Sequence, residues 1–431
     1  MTSKNSKVKI CVVTTDRANY GRLKLVMDAI QKDPNLDLQL VVGTPLFFDH
    51  LVWQLRHGEP VSLLKSLPWY IKARLKTVFS PGKSIAHLEY STKLISQEGF
   101  PIHARIPMLL EGGNPRVMTK IIGFALLGIA RIFEKLKPDL VLIHGDRFEM
   151  LPIAFATICA NIPLVHIEGG DVSGTLDEST RHAITKLAHI HFPSTKKSAE
   201  RICMMGENPD NVFVVGSPII DTVSQLDFSL DDSVYSRNGP GGGERVDFTK
   251  PFLLMLQHPV TTRYEENRQD MEELIAALDM VNIQKLFLVP NIDAGSDGVS
   301  AALREYRERK PRGAAFFKSL IPHDFYRVLA NATVAVGNSS SFIREGAYLG
   351  TPAVIVGDRQ QNRERGGNVV EVRPKRDEIV LAMKSQVAHG PYKRDMLFGD
   401  GHAAVKIVET LKKIDPMNIK MQKTFFESAV L

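Results

Sequence analysis

The residues best suited to chemistry lie between Leu140 and His191. There "LVLIHGDRFEML" is followed, at the spacing of a strand and a helix, by "PLVHIEGGDVSGTLDESTRHAITKLAHIHF". This spacing puts Asp146, Arg147, His166, Glu168, Asp171, Asp177, Glu178, Arg181 and His182 onto loops that leave the ends of apolar runs. Carboxylates so placed can move protons on a bound molecule, and cations among them can hold an anion. Open α/β sheets bind ligands outside the carboxyl ends of their strands, so an apolar run closed by Gly and two charges marks the edge of a site.

Other loops share that character. In "VVTTDRANYGRL", Asp16, Arg17, Asn19 and Gly21 fall between the first strand and a helix expected from Arg22 to Lys32. Backbone N–H groups face an anion in such a turn, but the pattern is not GxGxxG, so no dinucleotide fingerprint is present. A plain turn with a surface arginine reads as well. In "LLMLQHPVTTRYEEN", His258 follows an apolar strand, where an imidazole suits acid–base work or a phosphate, or is structural. "LFLVPNIDAGSDG" puts Asn291, Asp293 and Ser296 on a loop whose simplest reading is a polar turn. In "VAVGNSSSFIREGAYLG", Ser339, Ser340 and Ser341 open a helix expected from Phe342 to Tyr348. Hydroxyls and free amides at a helix N-terminus make a phosphate cradle, whereas a simple cap needs one serine. Glu345, one turn on, could accept ribose or base hydroxyls. HExxH, paired CxxC, GxSxG and Walker A motifs are absent, so neither a metal nor a cofactor is expected. Asp171 and Asp177 could hold Mg²⁺, but nothing requires it.

The elements that must position these loops alternate. "KICVVTT", "LDLQLVV", "DLVLIHG", "PLVHIEG", "IHFPS" and "NVFVVGS" form one set of strand candidates; "PFLLMLQHP", "KLFLVPN", "AAFFKSL", "ATVAVGNSS" and "PAVIVGD" form another. With helices between them this predicts an α/β fold of two Rossmann-like domains facing a central cleft. The first is expected over residues 1–218, with a hinge near Pro218, and the second, the nucleotide-binding one, over 219–402. A C-terminal helix over 403–415, with Val405, Val408 and Leu411 on one face, is expected to complete the first. Asp227 to Lys250, with "NGPGGGERVD", reads as a mobile loop. Met118 to Leu136 carries too many charges to span a membrane and reads as a core helix with Ile122, Ala125, Leu126, Ile129 and Phe133 inward. Leu63 to Phe79 is a basic amphipathic stretch, better read as packed on its own domain or a subunit partner than on a membrane surface.

The chain has 431 residues, 44% hydrophobic and 24% charged, long enough for two cores. Its net charge of +6 comes from scattered cations, which favours a small phosphate-bearing ligand over nucleic acid. Cys11, Cys159 and Cys203 lie far apart; the first two sit in apolar runs and read as buried, reduced thiols of a cytoplasmic protein. The N-terminus has no apolar signal region.

Taken together, "HGDRFE", "HIEGGDVSGTLDESTRHAITKLAH", "LQHPVTT", "PNIDAGSDG" and "GNSSSFIREGAYLGTPAV" closely resemble the hydrolysing UDP-N-acetylglucosamine 2-epimerases of sialic and legionaminic acid synthesis. The resemblance runs from about Lys7 to Ile414 and implies the GT-B-like fold. "HGDRF" and "HIEGGDVSGT" are similar to the hydrolysing branch, where the non-hydrolysing branch has HGDT and HVEAGLRT. The implied reaction eliminates the nucleoside diphosphate to a 2-acetamidoglycal and adds water with inversion at C2, giving N-acetylmannosamine or an analogue. The same motifs would serve a UDP- or GDP-linked 2,4-diacetamido-2,4,6-trideoxy sugar, and a glycosyltransferase shares the fold. By resemblance Asp146, Glu168 and Asp177 are the acid–base carboxylates, with the C2 base left open among them, and His258 assists departure of the diphosphate. Arg17, Arg147, Asn291, Ser339, Ser340, Ser341, Glu345 and Arg359 are implied to bind the nucleotide sugar, and a homodimer or homotetramer is expected. Asn19 and Gly21 depart from the animal members' first loop; Asp297 and Ser319 replace a lysine and a histidine of their feedback site. Grouped carboxylates repel, so at least one raised pKa is expected.

Overall fold

The computed structural model describes residues 7–15, 17–45, 92, 94–110, 115–263, 265–290 and 296–427. The stretch from Leu63 to Phe79, together with Asn291 and Asp293, lies outside the described residues.

Two sheets carry the fold. In the first, β1 (Val8–Thr14), β2 (Leu36–Pro45), β3 (Ile102–Leu109), β4 (Leu140–His144), β5 (Leu164–Ile167) and β6 (Ile190–Phe192) are all parallel, in the order β3-β2-β1-β4-β5-β6. In the second, β7 (Gly242–Gly243) is an antiparallel edge strand beside β10 (Ala314–Phe317). The remaining strands are β8 (Phe252–Leu256), β9 (Gln284–Leu288), β11 (Val334–Gly337), β12 (Ala353–Val356) and β13 (Val369–Val372). Their order, β13-β12-β11-β8-β9-β10-β7, repeats the first sheet's winding with β8 in the place of β1. Both halves are thus Rossmann-like, with switch points between β1 and β4 and between β8 and β11.

Helices cover both faces of each sheet. On the first half these are α1 (Arg17–Lys32), α2 (Pro115–Leu136), α3 (Met150–Cys159), α4 (Leu176–Leu187) and α5 (Lys196–Met204). They are followed by α6 (Pro218–Ser224), α7 (Ser233–Asn238), α8 (Asn267–Asp279), α9 (Ser296–Glu308), α10 (Pro322–Asn331), α11 (Ser340–Leu349), α12 (Arg376–His389) and α13 (Ala403–Leu411). Because β4, β8 and β12 are covered on both faces, they are buried along their whole length, which is why they read as unbroken apolar runs.

Helix α13 packs on the first half. Ala404, Ile407, Val408 and Leu411 share a core with Ile10, Leu23 and Val26, and the buried Asp221 of α6 accepts from the Ala403 and Ala404 N–H groups at 2.9 and 2.7 Å. Val405, expected inward, is 58% exposed, because the buried face is set by Ala404 and Ile407.

Several expectations need correction. Helix α1 starts at Arg17, so Asn19 and Gly21 lie in its first turns and not in a loop. "NVFVVGS" forms no strand: only Val212 bridges, to His191, before Ser217 precedes α6 without a side-chain cap bond. Leu126 is 38% exposed and Ile121 takes the inward place on α2. Cys159 is exposed at the end of α3, although Cys11 is buried. The segment from Asp227 to Lys250 is folded, since Val234, Tyr235 and Val246 insert into the second core, and Arg237 holds the buried Asp324 at 2.6 Å. Its glycines serve close approach: a Cβ on Gly243 (φ +79°) would stand 2.2 Å from the Ala314 carbonyl oxygen on the neighbouring strand.

Candidate active site

Four strand ends build the site. After β4, Gly145 turns the chain and presents Asp146 and Arg147. The ring of buried His166 donates from Nε2 to the Gly145 carbonyl at 2.8 Å, and its Nδ1 lies 3.2 Å from the Thr185 hydroxyl. Burial pushes His166 down to about 3, so the ring is neutral and serves as a hydrogen-bonding prop for this turn. Asp146 is ion-paired with Arg181, a fully buried residue of α4 whose Nη1 also donates to the Asp171 carbonyl at 2.9 Å. Arg147 donates to Glu149 at 2.7 Å.

After β5 comes Glu168, buried and held at φ +60°, a left-handed conformation that costs a non-glycine residue about 1–3 kcal/mol. Its carboxylate receives Arg344 at 2.7 Å, His144 at 3.1 Å and Arg22 at 3.3 Å, together with the Ser217 hydroxyl. Burial alone would raise its pKa; Arg344, His144 and Arg22 outweigh burial and hold it well below the usual carboxylate range. The expected mutual repulsion of carboxylates therefore does not govern Glu168, because arginines are interleaved with the acids. Burial keeps His144 below its ordinary value despite Glu168, and Asn19 lies 3.4 Å from its Nδ1, which suits a proton on Nε2 facing Glu168. The Asp177 side chain, in the first turn of α4, makes no ion pair or hydrogen bond among the described residues.

The second half supplies different groups. After β8 and β11, Asn338 ties two strand ends together: its Oδ1 accepts from the His258 N–H at 2.7 Å and its Nδ2 donates to the His258 carbonyl at 2.8 Å. Burial first, then Arg359 and Arg147, push the His258 imidazole far below its ordinary value, so it is neutral. Ser339 caps α11 by accepting from the Ser341 N–H at 3.3 Å, the ordinary role of a helix-opening serine. Ser340 opens the helix beside it. The Ser341 hydroxyl donates to Glu345 at 3.2 Å, and Arg344 lies between Glu345 at 3.6 Å and Glu168. Arg359 donates to the Asn338 carbonyl at 3.2 Å.

The strand-end loops of the two halves meet. Arg344 of α11 on Glu168, and Arg363 on Asp171 at 2.6 Å, both cross from one half to the other. The fold thus brings Arg147, His258 and Arg359 together and ties Glu168 to α11; Asp146 follows β4, whereas Asp177, Glu178, Arg181 and His182, expected on a loop, lie in α4, and His166 lies within β5. Arg17 begins α1, but its side chain, like Asn291, lies outside what the structure describes.

Sequence reasoning passed over Arg22, His144, Ser217, Arg344 and Arg363. Arg344 carried a signal: α11 is buried from Phe342 to Tyr348, and a charge inside a buried helix must have a partner. Among the described residues no group of His, Cys, Asp and Glu could hold a metal ion, and no helix is long and apolar enough to cross a membrane.

This arrangement has counterparts. The UDP-N,N'-diacetylbacillosamine 2-epimerase (hydrolyzing) of Legionella pneumophila is 33% identical over 406 residues, 94% of this chain and 96% of that one. The UDP-N-acetylglucosamine 2-epimerase of Neisseria meningitidis serogroup B is 27% identical over 423 residues, 97% of this chain and 99% of its own. The crystal structure of UDP-GlcNAc 2-epimerase from Neisseria meningitidis bound to UDP-GlcNAc superposes with a TM-score of 0.72 at 16% identity, covering 94% of this chain and 100% of that one, which establishes a shared GT-B-like fold. The sequence model of the family described as UDP-N-acetylglucosamine 2-epimerase matches residues 83–412, and the chain belongs to that family of nucleotide-sugar 2-epimerases.

Proposed function

We propose that the protein is a hydrolysing 2-epimerase that converts a UDP-linked 2-acetamido sugar and water to the free C2 epimer and UDP. The observation that carries this reading is the pairing across the cleft of buried Glu168 with Arg344, which joins the acidic loops to the helix opened by Ser339 and Ser340.

In this reading residues 1–218, completed by 403–415, carry the acids, and 219–402 hold the nucleotide. A carboxylate takes the C2 proton, the C1–O bond breaks and its electron pair leaves with UDP. Water then adds to the C1=C2 bond, hydroxyl to C1 and proton to C2 from the opposite face. Asp177, whose side chain has no cation partner among the described residues, is not committed to an ion pair and suits the first proton removal. Glu168 and Asp146, each paired with an arginine, orient the sugar and the returning water. The diphosphate lies against Arg147, Arg359 and the N-terminal amides of α11, where growing negative charge is stabilised. Its arrival raises the pKa of neutral His258, which can then protonate the leaving group.

Of two substrates, UDP-N-acetylglucosamine and the 2,4-diacetamido sugar of UDP-N,N'-diacetylbacillosamine, the second is favoured by the name of the relative at 33% identity. Assembly as a homodimer or homotetramer in the cytoplasm belongs to the same proposal. The test is incubation with each nucleotide sugar, GDP-linked forms included, in D₂O without acceptor. Release of nucleoside diphosphate with one deuterium at an inverted C2 is expected; no release without an acceptor would favour a glycosyltransferase.

A further inference from the structure

One hydrogen-bonded path links the acidic loop of the first half to the histidine loop of the second. Asp146 is held by Arg181, whose Nη1 donates to the Asp171 carbonyl at 2.9 Å. The Asp171 carboxylate takes Nε and Nη2 of Arg363 at 2.8 and 2.6 Å, and Arg363 Nη1 donates to Gln360 Oε1 at 2.7 Å. Gln360 Nε2 donates to the Asn338 carbonyl at 3.0 Å, and Asn338 accepts from His258.

The backbone seals the same seam. Gly174 N–H donates to the Arg359 carbonyl at 3.0 Å, and a Cβ on Gly174 would stand 2.0 Å from the Asp358 carbonyl oxygen. Thr195 also bonds Glu364 across the seam. Glu168 and Arg344 cross between the halves too, but through a carboxylate placed at the reacting sugar. Asp171 and Arg363 are a bidentate, largely buried pair outside the proposed proton transfers, so their attraction is constant throughout the reaction.

We propose that Asp171 and Arg363 are positioning residues that keep the halves shut while the glycal intermediate waits for water. This rests on the epimerase reading above. Once elimination has broken the C1–O bond and formed C1=C2, the sugar is neutral and no longer tethered to UDP. Its polar contacts with the acidic loops then hold it only while the walls stay closed, and a cleft that opens early releases 2-acetamidoglycal in place of the hydrated epimer.

The experiment measures glycal as a fraction of UDP released, with thermal melting to check folding, in wild type, Arg363→Gln, Asp171→Asn, the double variant and Arg363→Lys. The expected result is a rise in glycal fraction of about fivefold or more in each loss-of-pair variant, with UDP release within about threefold of wild type. The double variant should be no leakier than the worse single, because both remove one interaction. Arg363→Lys, which keeps the charge but not the fork, should fall between. Small-angle scattering without ligand reads the same pair without turnover, and Arg363→Gln should have the larger radius of gyration. Glycal fractions and dimensions equal to wild type in the single variants, or a double variant whose leak is the product of the two, would overturn the proposal. Wild-type protein that releases no UDP would instead overturn the epimerase reading, leaving the scattering arm to judge the pair.

Discussion

The two halves share one winding of strands yet treat charge in opposite ways. At the strand ends of the first half, Asp146 and Glu168 are each held by an arginine, Arg181 and Arg344. At the corresponding ends of the second, His258 is neutral and Asn338, Ser339 and Ser341 spend their polar atoms on one another's backbone and on Glu345. A common scaffold thus presents acids compensated by arginines on one side and a neutral imidazole and dipoles beside Arg359 on the other. The first suits proton movement on a sugar; the second leaves room for a ligand that brings its own negative charge.

The sharpest way to break this contrast is at Glu168. Glu168→Gln should lower kcat by about 10²-fold, the scale of a misplaced reacting group, and lower stability by about 3 kcal/mol because the buried Arg344 keeps only the more distant Glu345 as countercharge. Steady-state kinetics and urea unfolding check both, and a variant that turns over normally would remove Glu168 from the positioning of sugar and water.

Arg344→Met tests the same pair from the other side. The Glu168 carboxyl is depressed in the folded state, so its contribution is full above an unfolded value of about 4.3 and is lost as pH falls through the lower folded value. The stability gap between wild type and variant should therefore be wide at pH 7 and close as pH falls below that value. A gap independent of pH would show that Arg344 acts through packing.

On the neutral side, His258→Asn should reduce kcat by about 10²-fold. Binding of UDP to wild type near pH 6 should take up a proton as the diphosphate raises the imidazole pKa, and the variant should not. Calorimetry in buffers of different ionisation enthalpy measures this directly. The smallest effect is at Ser339: Ser339→Ala removes a helix cap and should cost about 1 kcal/mol in urea unfolding, with little change in Glu168 chemistry.

Much of this was legible in the chain. Strands buried on both faces read as apolar runs, and β4, β5, β8 and β11 deliver the motif residues as the pattern requires. The strand β3 was missed because "IHARIPML" alternates weakly between half-buried and exposed positions. The segment around Gly241 to Gly243 was misread because glycine looks the same to a sequence reader whether it frees a loop or lets two backbones touch. The arginines were hardest. Arg344 and Arg363 are remote from Glu168 and Asp171 in sequence, and only the facing of two strand-end surfaces makes them neighbours.

The return of α13 has a consequence for how the protein is made. Ile407 and Leu411 fill the core built on β1 and α1, so the first half lacks part of its interior until residues 403–411 have left the ribosome. A fragment ending at the hinge would expose an apolar trough and precipitate, whereas the same fragment supplied with the 403–415 peptide in trans should stay in solution.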